Sequence, residues 1–184
     1  MGRISKDKFK KILTQYPNYD SIKIFIETGL WDGTQNKYAT DANVFDTIYG
    51  IELNEHWATV TQKKCPNSII IHGDTKDELP KVLDKHPIDP IFIYLDAHFC
   101  HTHPPIKKSE YPLWDELDVI NKRNQADIVV IDDVHNFGKV RNDLKLDKSV
   151  KEWELVTEEN ILNVFGDRVV GSLFLGDAFV IWLK

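Results

Sequence analysis

Little in this sequence points to a secreted, membrane-spanning or nucleic-acid-binding protein. The only cysteines are Cys65 and Cys100, too few for the disulfide framework of a small secreted domain. No apolar run approaches membrane-spanning length, and MGRISKDKFKKIL at the start has no apolar core of a signal peptide. The 29 acidic residues outnumber the 23 lysines and arginines, so the chain lacks an overall basic footprint for a nucleic-acid backbone. We therefore expect a reduced cytoplasmic protein with no nucleic-acid partner.

The chain also lacks the glycine-rich loops that bind phosphates. The segment IFIETGLWDGTQ, residues 24–35, has two glycines, but it matches neither G-x-G-x-x-G nor a P-loop followed by lysine. Carboxylates repel phosphates, so Glu27 and Asp32 make this loop a poor pyrophosphate site. The loop therefore disfavours a nicotinamide-dependent oxidoreductase and indicates a ligand with a cationic or neutral portion.

Apolar runs alternate with helix-like segments along the chain. Continuous apolar strands are typical of a parallel sheet that is covered on both faces. The predicted strands are residues 22–27, 47–53, 68–74, 90–98 and 126–133, and the predicted helices are residues 34–44, 54–64, 76–86 and 110–123. Two more strand-like runs flank Gly176-Asp177 within residues 168–183, which is typical of a hairpin. We predict one α/β domain, residues 1–184, with a Rossmann-like, mostly parallel seven-stranded sheet, helices on both faces and an antiparallel C-terminal hairpin.

Acidic residues fall at the end of each of the first five predicted strands. They are Glu27, Glu52, Asp74, Asp96 and the pair Asp132-Asp133. Ligands of open parallel sheets bind beyond the carboxyl ends of the strands. Any one of these residues could simply cap the next helix, but capping is a poor explanation for all five. Glu52 is placed to accept hydrogen bonds from ribose hydroxyls, and Asp74 to meet an adenine amino group. A nucleoside with a positive charge and no phosphate fits this pattern, namely S-adenosylmethionine.

The same segments resemble the motifs of class I S-adenosylmethionine-dependent methyltransferases. FIETGLWDGT resembles the first motif, YGIEL the second, IIHGDTKDELP the third and IFIYLDAH the fourth, in order over residues 22–137. The resemblance implies that Thr28, Gly29 and Thr34 line the methionine portion, Glu52 holds the ribose, and Asp74 with Thr75 faces the adenine. The full expected cofactor site is Glu27, Thr28, Gly29, Gly33, Thr34, Glu52, Leu53, Asp74, Thr75 and Asp96.

A narrower resemblance concerns the carboxylates after the fourth and fifth strands. Metal-dependent sugar O-methyltransferases of macrolide and aminocoumarin pathways carry one Asp after the fourth strand and an acidic pair after the fifth. This chain is also similar to large-DNA-virus proteins thought to modify glycans. The resemblance implies that Asp96, Asp132 and Asp133 bind Mg²⁺ or Mn²⁺. Three converging carboxylates repel one another unless a cation neutralises them, and hard oxygen ligands suit Mg²⁺. The alternative is that Asp132 caps the following turn and Asp133 faces solvent.

Histidines near these carboxylates are candidate general bases. His98 lies two positions after Asp96, so its side chain is expected to point the same way and to deprotonate an acceptor hydroxyl. His98 and Asp96 are the expected catalytic residues. His135 is the second candidate. His98, Cys100, His101 and His103 could instead bind zinc, but their spacing is too tight for the usual finger pattern.

These observations predict an S-adenosylmethionine-dependent, metal-assisted O-methyltransferase that acts on a sugar hydroxyl of a glycan or glycoside. Residues 100–111 are expected to form a lid over the acceptor. A catechol-type or other small-molecule acceptor remains an alternative, as does a catalytically silent S-adenosylmethionine-binding module. Association with a glycosyltransferase is a further expectation, with the host cytoplasm as the location if the protein is viral.

Overall fold

The computed structural model describes residues 3–98, 112–139 and 152–184, in which seven strands form one sheet. The strands are β1 (Ile24–Thr28), β2 (Thr47–Glu52), β3 (Ile69–His72), β4 (Ile91–Leu95), β5 (Ile128–Ile131), β6 (Val169–Leu175) and β7 (Ala178–Leu183). The helices are α1 (Lys6–Leu13), α2 (Thr34–Ala42), α3 (Glu55–Lys64), α4 (Thr75–Asp84), α5 (Leu113–Asn121), α6 (Glu152–Leu155) and α7 (Glu158–Phe165). Short 3₁₀ turns cover Val134–Asn136 and Gly166–Arg168.

The strand order confirms the predicted fold class. The order is β3-β2-β1-β4-β5-β7-β6; β1 to β5 are parallel, and β7 runs antiparallel to both β5 and β6. Chain order reverses between β1 and β4, which pair in register with Thr28 opposite Leu95. This switch point leaves a crevice beyond the carboxyl ends of β1 and β4, the place where open α/β sheets bind ligands.

Apolar side chains on both sheet faces explain why helices cover both. Every residue of β1, β4, β5 and β7 is buried, as expected of central strands. One face packs against α4, α5 and α7, and the other against α1 and α2. Phe9 of α1 makes edge-to-face contacts with Phe25, Phe45 and Phe92, which fixes the N-terminal helix on the sheet.

The predicted elements differ from the structure mainly at their ends. The strand predicted at 90–98 ends at Leu95, and residues 96–98 follow it without regular structure. Helix α4 begins at Thr75, since the Asp74 side chain accepts a hydrogen bond from the amide of Lys76 and caps it. Helices α1, α6 and α7 had no counterpart among the predicted helices. No helix within the described ranges is long and apolar enough to cross a membrane.

Candidate functional site

Glu27 places a buried carboxyl at the end of β1, beside the crevice. Its side chain is 1% exposed, and Oε2 has no hydrogen-bond partner among the described residues. Burial raises the pKa of Glu27 well above its usual range, against the smaller lowering effects of Asn36 and Arg3. A cationic ligand group near Oε2 would relieve the cost of ionising this carboxyl.

Two glycines shape the loop that follows β1. Gly29 has φ +74°, and a Cβ there would lie 2.4 Å from the carbonyl oxygen of Asp96. Gly33 has φ +69°, and its Cβ would lie 2.7 Å from the side chain of Thr61 in α3. Glycines in such a loop can let the backbone approach a ligand closely. Their close neighbours in the structure are protein atoms, so both are already required by packing.

Glu52, at the end of β2, anchors the same loop. Its Oε2 accepts hydrogen bonds from the amides of Leu30 at 2.8 Å and Trp31 at 3.0 Å. Oε1 accepts one from the amide of Asn54 at 2.8 Å. The carboxylate predicted to hold the ribose therefore fixes the shape of the predicted cofactor loop, residues 29–33, and Oε1 retains acceptor capacity for a further donor.

Other predicted cofactor residues have partners of their own. The Thr34 hydroxyl donates to Asp32 Oδ2 at 2.7 Å and accepts from Lys64 Nζ at 2.8 Å. Asp74 is the cap of α4, and the Leu53 carbonyl lies 3.1 Å from the His72 ring. These contacts explain the local structure without a ligand.

Asp32 is explained by the protein itself. Burial raises its pKa, but hydrogen bonds from Thr34 and the charges of Arg3 and Lys64 outweigh this, so the net shift is downward. Because Arg3 lies 3.1 Å away and already pairs with it, Asp32 needs no cationic ligand.

Asp96, Asp132 and Asp133, which we call the acidic trio, lie at the ends of β4 and β5. Burial, followed by the charges of Asp132 and Asp133, raises the pKa of Asp96 well above its usual range. Burial also raises the pKa of Asp132, whose Oδ1 has no partner among the described residues. Asp133 adopts a left-handed conformation, φ 59° and ψ 39°, and makes no side-chain cap to the turn that follows. The trio thus holds more negative charge than its surroundings neutralise, which fits a divalent cation.

His98 lies between two members of the trio. Its Nε2 is 2.9 Å from Asp133 Oδ2, and its Nδ1 is 3.5 Å from Asp96 Oδ1. Burial raises the pKa of Asp133, but the hydrogen bond and charge of His98 outweigh it, so the net shift is downward. Ligand atoms of Asp96, His98 and Asp133 lie within 4.8 Å of one another; Asp132 does not belong to this set. The structure therefore brings His98 into the group where Asp132 was expected.

His135 occupies a neighbouring position with a partner that the sequence did not reveal. Its Nδ1 lies 2.7 Å from Asp177 Oδ2, and its amide donates to Asp177 Oδ1 at 2.8 Å. Asp177 comes from the β6–β7 turn, where the sequence indicated only a hairpin. The other predicted zinc ligands, Cys100, His101 and His103, and the predicted lid lie outside the described residues.

A small cleft adjoins the trio and contains a carboxyl that sequence reasoning missed. Asp96, His98, Asp132, Glu116 and Trp153 are among its lining residues. Glu116 of α5 is 2% exposed, and its Oε1 has no hydrogen-bond partner among the described residues. Burial raises its pKa to about 7, although nearby Thr28 and Thr75 hydroxyls act to lower it. The signal was a charged residue within the apolar stripe of Leu113, Leu117 and Ile120.

Glu116 is expected to make stability depend on pH. Its carboxyl ionises near pH 4.5 when unfolded and near 7 when folded, so stability is lost as pH rises through this window. Glu116→Gln removes the cost of ionising a buried carboxyl. It should raise the free energy of unfolding by about 3 kcal/mol at pH 8, but by less than about 1 kcal/mol at pH 5. Denaturant unfolding at both pH values tests this, with exposed Asp118→Asn on the same helix as control. An equal effect at both pH values would contradict it.

Comparisons with known proteins address the fold. No protein-family model matches the sequence, and no curated protein matches it significantly. Several solved structures are similar over almost the whole chain, and two of them serve as examples. One is an O-methyltransferase from Bacillus cereus in complex with S-adenosylhomocysteine, at 16% identity and TM-score 0.59, covering 100% of this chain and 83% of the other.

The second is the O-methyltransferase TomG from Streptomyces achromogenes, involved in tomaymycin synthesis, in complex with S-adenosylmethionine. The identity is 16% and the TM-score 0.62, with 99% of this chain and 81% of the other covered. At such low identity the likeness concerns the fold. The chain therefore has the Rossmann-like fold found in S-adenosylmethionine-dependent O-methyltransferases.

Proposed function

We propose that this chain transfers the methyl group of S-adenosylmethionine to a sugar hydroxyl of a glycan or glycoside, with the help of Mg²⁺ or Mn²⁺. The observation that carries the proposal is the acidic trio, set directly beside the switch-point crevice of a methyltransferase fold. The crevice would take the cofactor, and the cleft next to the trio would take the acceptor.

The crevice residues fit the cofactor's chemistry. Glu27 has a buried oxygen without a partner, suited to the ammonium or sulfonium charge. Glu52 lies at the end of the neighbouring strand and can accept hydrogen bonds from the ribose. Asp74 and Thr75, at the start of α4, would face the adenine. These residues would hold and orient the donor, which would supply the methyl group to be transferred.

The acidic trio fits a hard divalent cation. All three side chains offer carboxylate oxygens, and ligand atoms of Asp96 and Asp133 lie within 4.8 Å of each other and of His98. Burial raises the pKa values of Asp96 and Asp132 by more than the described residues offset. When bound there, such a cation would supply positive charge that lowers the pKa of an acceptor hydroxyl. His98 would accept the hydroxyl proton, and its imidazolium would remain paired with Asp96 and Asp133.

A sugar acceptor is supported by the composition of the cleft. Trp153 lies at its wall, with its ring 5.8 Å from that of His98. An indole face can pack against the C–H face of a sugar ring, while neighbouring hydroxyls point to the carboxylates. Trp153 is 6% exposed and packs in the core, so it would form a fixed wall of the acceptor site.

Calorimetric titration tests the proposal. S-adenosylmethionine and S-adenosylhomocysteine should each bind with a micromolar Kd, and Mg²⁺ should tighten the binding in the presence of an acceptor. Labelled methyl transfer to a panel of glycosides and catechols would then identify the acceptor class. Failure to bind either nucleoside would overturn the proposal, and transfer to catechols alone would replace the sugar with a catechol.

A further inference from the structure

Arg3 pairs with Asp32 in the loop between β1 and α2, although it lies outside every predicted motif in the sequence. Its Nη2 donates to Asp32 Oδ1 at 3.1 Å, and its side chain is 27% exposed. Among the described residues this is the only hydrogen bond that the guanidinium makes, so four of its five N–H groups remain available. An arginine in this state can take a second anionic partner.

The segment that carries Arg3 is fixed in place. Ile4 is 1% exposed, and its amide donates to Gln35 Oε1 at 2.9 Å. In return, Gln35 Nε2 donates to the Ile4 carbonyl at 3.2 Å. Gln35 belongs to the first turn of α2, directly after the cofactor loop. This reciprocal pair fixes the backbone next to Arg3 against the start of that helix.

Arg3 is tied by its bond to Asp32 to the segment between β1 and α2, directly after Glu27 and Thr28 at the end of β1. Its charge lowers the pKa of Glu27, opposing the burial that raises it. The guanidinium therefore acts on the place where the donor's amino-acid end would lie. Lys64, the other basic partner of Asp32, instead bonds to the Asp32 carbonyl and the Thr34 hydroxyl.

The amino-acid end of S-adenosylmethionine has charges of both signs. Its ammonium and sulfonium suit Glu27 and Asp96, but its carboxylate would be repelled by them unless a cation offsets the repulsion. We propose that Arg3 binds this carboxylate and so selects a donor that carries it, an inference that rests on the proposed function. The fork of N–H groups on a guanidinium matches the two oxygens of a carboxylate. Asp32 would hold the Arg3 guanidinium in place, while the remaining N–H groups of Arg3 bind the ligand carboxylate.

Decarboxylated S-adenosylmethionine is the probe that isolates this contact, because it keeps the adenosine, the sulfonium and the amine. The wild-type chain should bind S-adenosylmethionine roughly 10- to 100-fold more tightly than the decarboxylated form, the range for a hydrogen bond to a charged group. Arg3→Ala should abolish this preference mainly by weakening binding of the carboxylated donor. Arg3→Lys, which keeps the charge but loses the fork, should retain part of the preference.

Lys64→Ala is the matched control, since it removes a basic partner of Asp32 while leaving Arg3 in place. It should leave the preference unchanged, and melting temperatures would show that all variants are folded. If Arg3→Ala weakens the binding of both nucleosides equally, or if the wild-type chain binds both with equal affinity, the inference is overturned while the proposed function stands. If the wild-type chain binds neither nucleoside, both are overturned.

Discussion

Replacing Asp133 with asparagine is expected to abolish the effect of Mg²⁺ while leaving the fold intact. Asparagine has the same shape and tolerates the left-handed conformation that Asp133 adopts, so the backbone should not move. The substitution removes one charge of the acidic trio and the carboxylate that pairs with His98 at 2.9 Å. Metal-assisted steps are worth several kcal/mol, so kcat/KM should fall by roughly 100- to 1,000-fold.

Two measurements separate this result from a general loss of function. The affinity for S-adenosylmethionine without metal should stay within about threefold of the wild-type value, a change of under 1 kcal/mol. Asp118→Asn, an exposed aspartate of α5, should leave activity and metal response unchanged. A variant at position 133 that kept the full Mg²⁺ response would show that the trio does not hold the metal.

Replacing Gly29 with alanine is expected to be the most destabilising change in the cofactor loop. The added Cβ would lie 2.4 Å from the Asp96 carbonyl oxygen and 2.7 Å from the Ala97 Cα, both of them backbone atoms that cannot rotate away. The positive φ adds about 1 kcal/mol of strain for a non-glycine residue. We expect a total loss of about 3 kcal/mol or more in the free energy of unfolding, together with much weaker donor binding.

Gly176→Ala provides an internal control for the strain alone. Gly176 has nearly the same φ, +72° against +74°, but a Cβ there would have no neighbour within 4 Å. Gly176→Ala should therefore lower the free energy of unfolding by only about 1 kcal/mol, as measured by denaturant unfolding. Equal losses in the two variants would show that the loop after β1 does not depend on the contact with the residues after β4.

The sequence was sufficient for the sheet because each strand is a continuous apolar run. Strands β1 to β5 are parallel and, apart from the edge strand β3, largely buried, and the hairpin turns at Gly176-Asp177, as the pattern predicted. The ends of the strands were less well predicted, since an apolar run does not mark where backbone pairing stops. Asp74 shows the resulting ambiguity, because it follows β3 and also caps α4.

Contacts between distant parts of the chain could not be read from the sequence. Arg3 reaches Asp32 across 29 residues, and Asp177 reaches His135 across 42. Neither pair lies within one motif, so only the folded sheet brings its members together. Glu116 is different, since a carboxyl within an apolar helical stripe is visible in the sequence and marks a buried charge.

Gly29 lies so close to the backbone of Asp96 that the cofactor loop and the first residue of the acidic trio are in direct contact. The Gly29 amide also bonds to Ile51, and the Asp96 amide to Thr28, so neither loop can shift alone. The charge of Glu27 also raises the pKa of Asp96. If donor and cation each bind one of these loops, each is an effector of the other. By thermodynamic reciprocity, the factor by which Mg²⁺ tightens donor binding must equal the factor by which the donor tightens Mg²⁺ binding.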